Sequence, residues 1–369
     1  MNWQDSYSKF YWEIHEQGRV IANRMDDLSV EVAAIVAGLD ANKITSVQQL
    51  GCGDSHFVGW VTKLAFQKLA GLPLTPAEAY EFAAYDVYGL PSTALAVGVS
   101  VSGKVGNTIT AVESAREQGM YTLAITNTPG SAITQAAEGA IVVNAHSPGN
   151  TPMPGAVTYL GSLTVLYLLS IELGLARGHL TEEKAAEYRA KLKETHLSLR
   201  EIALTNFPLI EGYARSRFHE SPLIYFVGGG PNYGSALFGR AKLLEAAPVP
   251  CMAQEVEEWA HLEYFLTGVD TQIIFLAPAG PSRQRVLDMM QTASRLNSYV
   301  IAVADPEDKE VAELASEVWP VPPQEEVFSP IAYSVPLDIL AYEAMLTQGS
   351  APFRLDSSGN SGVIYRDKK

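Results

Sequence analysis

The stretch "GVSVSGKVGNT", Gly98 to Thr108, follows directly on an apolar run, Thr93-Ala94-Leu95-Ala96-Val97. A short apolar run bounded by small residues reads as a buried strand. After it come Ser100, Ser102, Gly103 and Gly106, and then the helical pattern "NTITAVESAREQG", with Gly119 as its stop. A strand that gives way to hydroxyls and glycines before a helix has two readings. It is a plain turn, or it holds an anion, because backbone N–H groups and hydroxyls at a strand-to-helix junction surround a phosphate.

Outward from that loop the pattern is regular. The first forty residues read as helical. "SVQQLGCGDS" reads as a short strand ending in Gly51-Cys52-Gly53, with a helix from about His56 to Ala70. "YTLAITNTPGS" is a strand, Ala132 to Ala137 a short helix, and "GAIVVNA" a further strand. Strands alternating with helices predict a parallel sheet with right-handed crossovers. The run Leu163 to Ile171 is too short to span a bilayer and reads as a buried helix. Residues 181–218 read as a helical connector, with Thr181 as N-cap and Glu182 and Glu183 in the first turn.

Then the pattern repeats. "PLIYFVGGGPNYGSA" parallels "VQQLGCGDSHFVG", and the stretch from "TQIIFLAPAGPSR" to "VIAVADPED" parallels the one from "TALAVGVSVSGKVG" to "LAITNTPGS". The second copy has "APAGPSR" where the first has "SVSGKVG", so an anion would bind the first copy. The expected fold is α/β: two doubly wound units, each a parallel sheet between helical layers. Residues 1–190 form the first domain with its N-terminal helix, and residues 191–369 the connector helix, second domain and C-terminal segment.

Composition narrows the partners. Among 369 residues, 26 Lys and Arg against 41 Asp and Glu leave a formal charge of −15. That argues against nucleic acid or an anionic membrane surface as partner, though N–H dipoles can hold an anion inside an acidic protein. Two cysteines, Cys52 and Cys251, make no disulfide framework and fit a reducing compartment. The N-terminus has no apolar signal region, so a cytoplasmic location is expected. "GGGPNYG" lacks the spaced G-x-G-x-x-G register of a dinucleotide site. Near His261 no second ligand stands at i+4, which weighs against a metal. No cofactor is expected.

The segment "RAKLLEAAPVPCMAQEVEEWAHLEYF" stands out. Lys242 and Glu245 lie one turn apart on a helix, a spacing that equally suits a surface ion pair. The chain leaves that helix at Pro248 and Pro250 and enters an acidic run, Glu255, Glu257, Glu258 and Glu263, around His261. Such a run most often forms a solvated face.

These residues together carry a resemblance. The chain resembles the sugar isomerase (SIS) family with two SIS domains. It is similar to the isomerase half of glucosamine-6-phosphate synthase and to fructosamine-6-phosphate deglycases. "EIHEQGR", "GCGDS", "SVSG", "AITNTPGS", "AKLLE" and "SPIAYSVPLDILAYEAMLTQG" resemble its motifs in order over nearly the whole chain. No stretch resembles the synthase's glutaminase domain.

The resemblance implies that Ser55, Ser100 and Ser102 hold a sugar phosphate, with Asp54 in the same turn. It implies that Glu245 moves a proton between C1 and C2, with Lys242 beside it. His261 opens the sugar ring and, in the family, reaches the site from the other subunit of a dimer; Glu258 matches the acidic residue before it. The residue types suit this chemistry: one carboxylate can serve both carbons, and an imidazole can protonate a ring oxygen.

Four places depart from the family pattern. Val101 and Val105 stand where its loop usually has Gln and Thr, and Lys104 and Thr108 either compensate or leave the anion weaker or absent. "GAV", Gly155 to Val157, replaces a Ser-Thr-Lys stretch, and Lys368 and Lys369 do not match the synthase's C-terminal lysine. The implied function is a deglycase that cleaves a 6-phosphorylated sugar–amine adduct. An aldose–ketose isomerase or an aminosugar-phosphate deaminase is a close alternative, and a non-catalytic sugar-phosphate sensor another. The pair Glu245 and His261 favours an enzyme, because a sensor has no need for both.

Overall fold

The computed structural model describes residues 4–149, 151–218 and 223–355. In chain order the elements are α1 (Asp5–Ala22), α2 (Met25–Ala37), β1 (Ser46–Gly51), α3 (Asp54–Ala65), β2 (Leu74–Glu78), α4 (Ala79–Glu81), β3 (Ala94–Val99), α5 (Gly106–Glu117), β4 (Tyr121–Thr126), α6 (Ala132–Ala136), β5 (Gly139–Val142), α7 (Val157–Ala176) and α8 (Glu182–Ser216). They continue as β6 (Leu223–Gly228), α9 (Pro231–Ala246), β7 (Cys251–Glu255), α10 (Val256–His261), β8 (Thr271–Ala277), α11 (Arg283–Arg295), β9 (Tyr299–Ala304), α12 (Lys309–Leu314), β10 (Glu317–Pro320) and α13 (Ser329–Gln348).

The ten strands form two five-stranded sheets, ordered β2-β1-β3-β4-β5 and β10-β9-β8-β6-β7, with every pairing parallel. Read from the other edge, the second order repeats the first strand for strand. The internal repeat expected from the sequence is therefore a repeat of topology. Two compact units result: residues 18–146 with 157–197, and residues 1–17, 147–156 and 198–369.

Burial follows from the parallel pairing. Strands β3 and β8 are buried at every residue, as inner strands covered on both faces must be. In the first unit, α7 is mostly apolar on every side, with Ser, Thr and Glu172 among its residues, and nearly all buried. At 20 residues it is longer than the apolar run Leu163 to Ile171, and long and apolar enough to cross a bilayer. Its burial makes it the unit's core helix. Thr181 caps α8 as expected, accepting the N–H of Lys184 at 3.2 Å.

In the second unit, α9 and α13 run side by side. A Cβ at Gly239 would stand 3.0 Å from both Leu337 and Phe226, so glycine permits the close approach. The pair is fastened at both ends: Asn232 donates to Ser329 at 2.8 Å, and Ser350 donates to the Ala246 carbonyl at 2.9 Å.

Three strands escaped the sequence pattern, β2, β7 and β10, all of them edge strands, and β2 and β7 are the same edge strand of the two repeats. Pro76 sits within β2, and β7 follows Pro248 and Pro250. Edge strands tolerate such residues because only one side of their backbone is paired.

Candidate functional site

The strand order of the first sheet reverses direction between β1 and β3, and at such a switch point a crevice opens at the C-terminal ends of the strands. Register pairs Leu50 of β1 with Gly98 of β3, so both following loops leave the sheet side by side. One carries Asp54 and Ser55, the other Ser100, Ser102, Lys104 and Thr108.

Each loop is shaped by glycine. A Cβ at Gly51 would stand 2.2 Å from the Ser55 carbonyl oxygen, and Gly53 has φ +57°. The turn is held from below by Gln49, which donates to the Ser55 carbonyl at 2.7 Å. Asp54 and Ser55 are half-buried in the first turn of α3. In the second loop the Gly103 N–H donates to the Ser100 carbonyl at 2.9 Å. Gly103 has φ +64°, and a Cβ there would stand 2.0 Å from Ser131 Oγ. Ser102 and Lys104 are exposed, with the Lys104 N–H donating to Ser102 Oγ at 3.3 Å. Ser100 and Ser131 are buried, and neither Oγ has a hydrogen-bond partner among the described residues. Buried polar atoms without partners are uncommon and mark places where something else completes the bonding.

A side-chain contact joins the two loops. Cys52 Sγ lies 3.8 Å from Thr108 Oγ1 and donates to Glu78 Oε1 at 3.2 Å. Burial, with the Glu78 carboxylate behind it, pushes the Cys52 thiol up to about 11, so it stays protonated. The other Glu78 oxygen accepts the N–H groups of Tyr80 and Glu81. Next to Ser55, burial pushes the His56 imidazole down, opposed by Glu78 and the Pro76 carbonyl. Glu78 and Ser131 had no role in the sequence reading. Glu78 before "AYE" would have been flagged as a helix N-cap, had β2 been visible before it.

The second unit places the remaining residues. Lys242 and Glu245 pair at 2.7 Å on the last turns of α9. Lys242 is 1% exposed and Glu245 29%, so this is a buried cation with a half-open carboxylate, and the surface-pair reading falls away. Lys242 Nζ also lies 5.2 Å from the centre of the Phe238 ring. A buried ammonium is tolerated only with such partners.

His261 ends α10, with its ring 66% exposed and Nε2 3.1 Å from Glu257 Oε1. Arg285 also pairs with Glu257 and holds that carboxyl below the usual range. The acidic run is no uniform solvated face: Glu255 caps α10 by accepting the N–H groups of Glu257 and Glu258, and Glu263 is buried. Glu258 is exposed.

Within the unit the His261 ring meets Glu257, while Glu245 meets Lys242. Helix α9 runs back from the C-terminal edge of the sheet, so Glu245 lies near the start of β7. His261 comes six residues after the end of β7, at the end of α10. Lys368 and Lys369 lie outside the described residues.

The sequence model of the SIS domain matches residues 42–169 and 217–348. The chain belongs to the SIS domain family. Over 344 residues it is 29% identical to a glutamine–fructose-6-phosphate aminotransferase (isomerizing) of Gloeobacter violaceus, covering 91% of this chain and 55% of that protein. The chain thus spans about half the length of the curated relatives it matches. Its fold is that of the C-terminal domain of glucosamine-fructose-6-phosphate aminotransferase from Francisella tularensis, with TM-score 0.82 at 22% identity over 92% of this chain and 96% of that one. Tagatose-6-phosphate ketose/aldose isomerase from Escherichia coli has the same fold, with TM-score 0.73 at 18% identity over 98% and 96%. The two SIS segments each contain one of the sheets described above, with the hydroxyl-lined loops in the first and Lys242, Glu245 and His261 in the second.

Proposed function

We propose that the protein is a sugar-phosphate enzyme, and specifically a deglycase that cleaves a 6-phosphorylated sugar–amine adduct. The observation that carries this is the buried Lys242 paired with the half-open Glu245 carboxylate. A carboxylate so placed can take a proton from carbon and return it.

In the adduct the carbonyl is at C2 and the amine at C1. With the ring opened by the His261 imidazole, Glu245 removes a proton from C1, leaving an enolamine. The same carboxyl, its proton exchanged with solvent, protonates C2, which creates an imine at C1. Water hydrolyses the imine to an aldose phosphate and a free amine. The phosphate sits in the loops of the first sheet, where Ser55, Ser100 and Ser102 donate and Lys104 and Thr108 stand in for the family's Gln and Thr.

Within one chain the His261 imidazole is exposed and meets Glu257, which supports a homodimer in which each copy lends its imidazole to the other. Mixing Glu245→Gln with His261→Ala, each inactive alone, should restore activity through hybrid sites. Mixtures that exchange subunits yet never recover would end that arrangement.

Turnover of a phosphorylated adduct in D₂O tests the reaction. Deuterium should appear at C2 of the product, and Glu245→Gln should lose about 10²- to 10⁴-fold in rate. Full activity of that variant would remove Glu245 from the mechanism. Interconversion of aldose and ketose phosphates without amine release would make the protein an isomerase. Release of ammonia from an aminosugar phosphate would make it a deaminase. Saturable binding of sugar phosphates without turnover would make it a sensor.

A further inference from the structure

The turn that follows His261 is exposed and apolar except at one residue. Leu262, Phe265 and Leu266 are 61%, 72% and 71% exposed, whereas Glu263 is 8% exposed. A carboxylate buried in the middle of an exposed apolar turn is the reverse of the usual partition, so its bonds must account for it. Glu263 Oε1 accepts from Gln254 Nε2 at 2.8 Å. Gln254 is itself oriented by the Glu255 N–H, which donates to its Oε1 at 2.9 Å. Thr267 Oγ1 donates to the Glu263 carbonyl at 3.1 Å. The second carboxylate oxygen is buried with no hydrogen-bond partner among the described residues, as is the phenol of Tyr225. Both Tyr225 and Tyr233 sense the Glu263 charge, so the carboxylate points inward from the turn.

The chain from Gln254 to Thr267 is therefore pinned to the end of β7 by a side chain two residues beyond His261. We propose that Glu263 is a positioning residue for His261, holding through Gln254 the turn that follows the imidazole. The inference rests on the reading of His261 as the ring-opening group. Glu263 touches no substrate; it fixes where the imidazole stands. A misplacement of about 1 Å can cost about 10²-fold in rate, so an anchor here matters even though His261 itself is exposed.

The test separates positioning from folding by choice of substrate. A 6-phosphorylated adduct that closes to a furanose needs ring opening. Its 5-deoxy analogue has no O5, cannot close, and does not need it. Glu263→Ala should lower kcat on the cyclising adduct by about 10²-fold while leaving kcat on the 5-deoxy analogue unchanged. Glu263→Gln should restore the rate, because its amide oxygen still accepts from Gln254. Equal losses on both substrates, or no loss, would overturn the proposal.

Amide hydrogen exchange gives a readout that needs no turnover. In Glu263→Ala the amides of residues 261–267 should exchange about tenfold faster or more, while Glu263→Gln stays near the wild-type rate. Unchanged exchange in Glu263→Ala overturns the anchoring itself. If the wild-type protein cleaves neither adduct, the deglycase reading fails, and faster exchange still upholds the anchor.

Discussion

The turn after β1 and the turn after β6 have the same backbone and opposite fates. Gly53 and Gly230 have φ/ψ of 57°/−131° and 56°/−132°. A Cβ at Gly51 would stand 2.2 Å from the Ser55 carbonyl oxygen, and one at Gly228 would stand 2.3 Å from that of Asn232. Yet the residue four places beyond the first glycine differs in what surrounds it. Ser55 is half-buried at an edge that carries further serines. Asn232 is fully buried, donating to Ser329 of α13 and accepting from Ser235 at 3.1 Å. Duplication supplied two equivalent strand-to-helix turns. In the second copy α13 covers the turn and a side-chain amide ties the two helices together. What a fold offers as a site is a site only where no other element occupies it.

If the two turns are equivalent in backbone, both should fail alike when a methyl group is added. Gly51→Ala and Gly228→Ala should each cost about 4 kcal/mol, read as a drop in the urea midpoint. Tolerance at one position and not the other would break the equivalence.

The cover over the second turn should weaken with rising pH. Glu343 of α13 is buried, facing Glu211 and Arg215 of α8 and beside Tyr342. Burial first, then the Glu211 charge, raises its carboxyl to about 7, against the partial relief of Arg215. A raised carboxyl favours the folded state fully below the unfolded value of 4.5, and that contribution is lost as pH rises through about 7. The full loss amounts to at most about 3 kcal/mol. Glu343→Gln should match the wild type near pH 4 and exceed it in stability near pH 8. Equal urea midpoints at both pH values would show that the Glu343 carboxyl does not titrate there.

The asparagine itself carries less. Asn232→Ala leaves Ser329 and Ser235 each short of a partner and should cost about 1–3 kcal/mol, with sugar-phosphate affinity unchanged. Ser55→Ala should be the mirror image. Its stability should stay within about 0.5 kcal/mol, while sugar-phosphate affinity by calorimetry falls about tenfold. Undiminished affinity in Ser55→Ala would remove Ser55 from the anion site and leave the open turn without a use.

The sequence by itself determined the repeat, the parallel α/β architecture and the positions of the hydroxyl-bearing loops. These are local properties: apolar runs mark inner strands, glycines mark turns that bring backbone against backbone, and Thr181 with its following glutamates marks a helix start. The edge strands β2, β7 and β10 were not legible, because an edge strand is paired on one side only and its sequence can keep Pro76 or the polar residues of "CMAQE". Tertiary structure decided which of two like turns stays open, since Ser329 lies 97 residues from Asn232. It decided that the i,i+3 pair Lys242 and Glu245 is buried, which spacing alone leaves undetermined. It also decided that Glu263, one acid in an acidic run, turns inward. Burial depends on what packs over a residue, and that neighbour is set by the path of the whole chain rather than by the residues on either side.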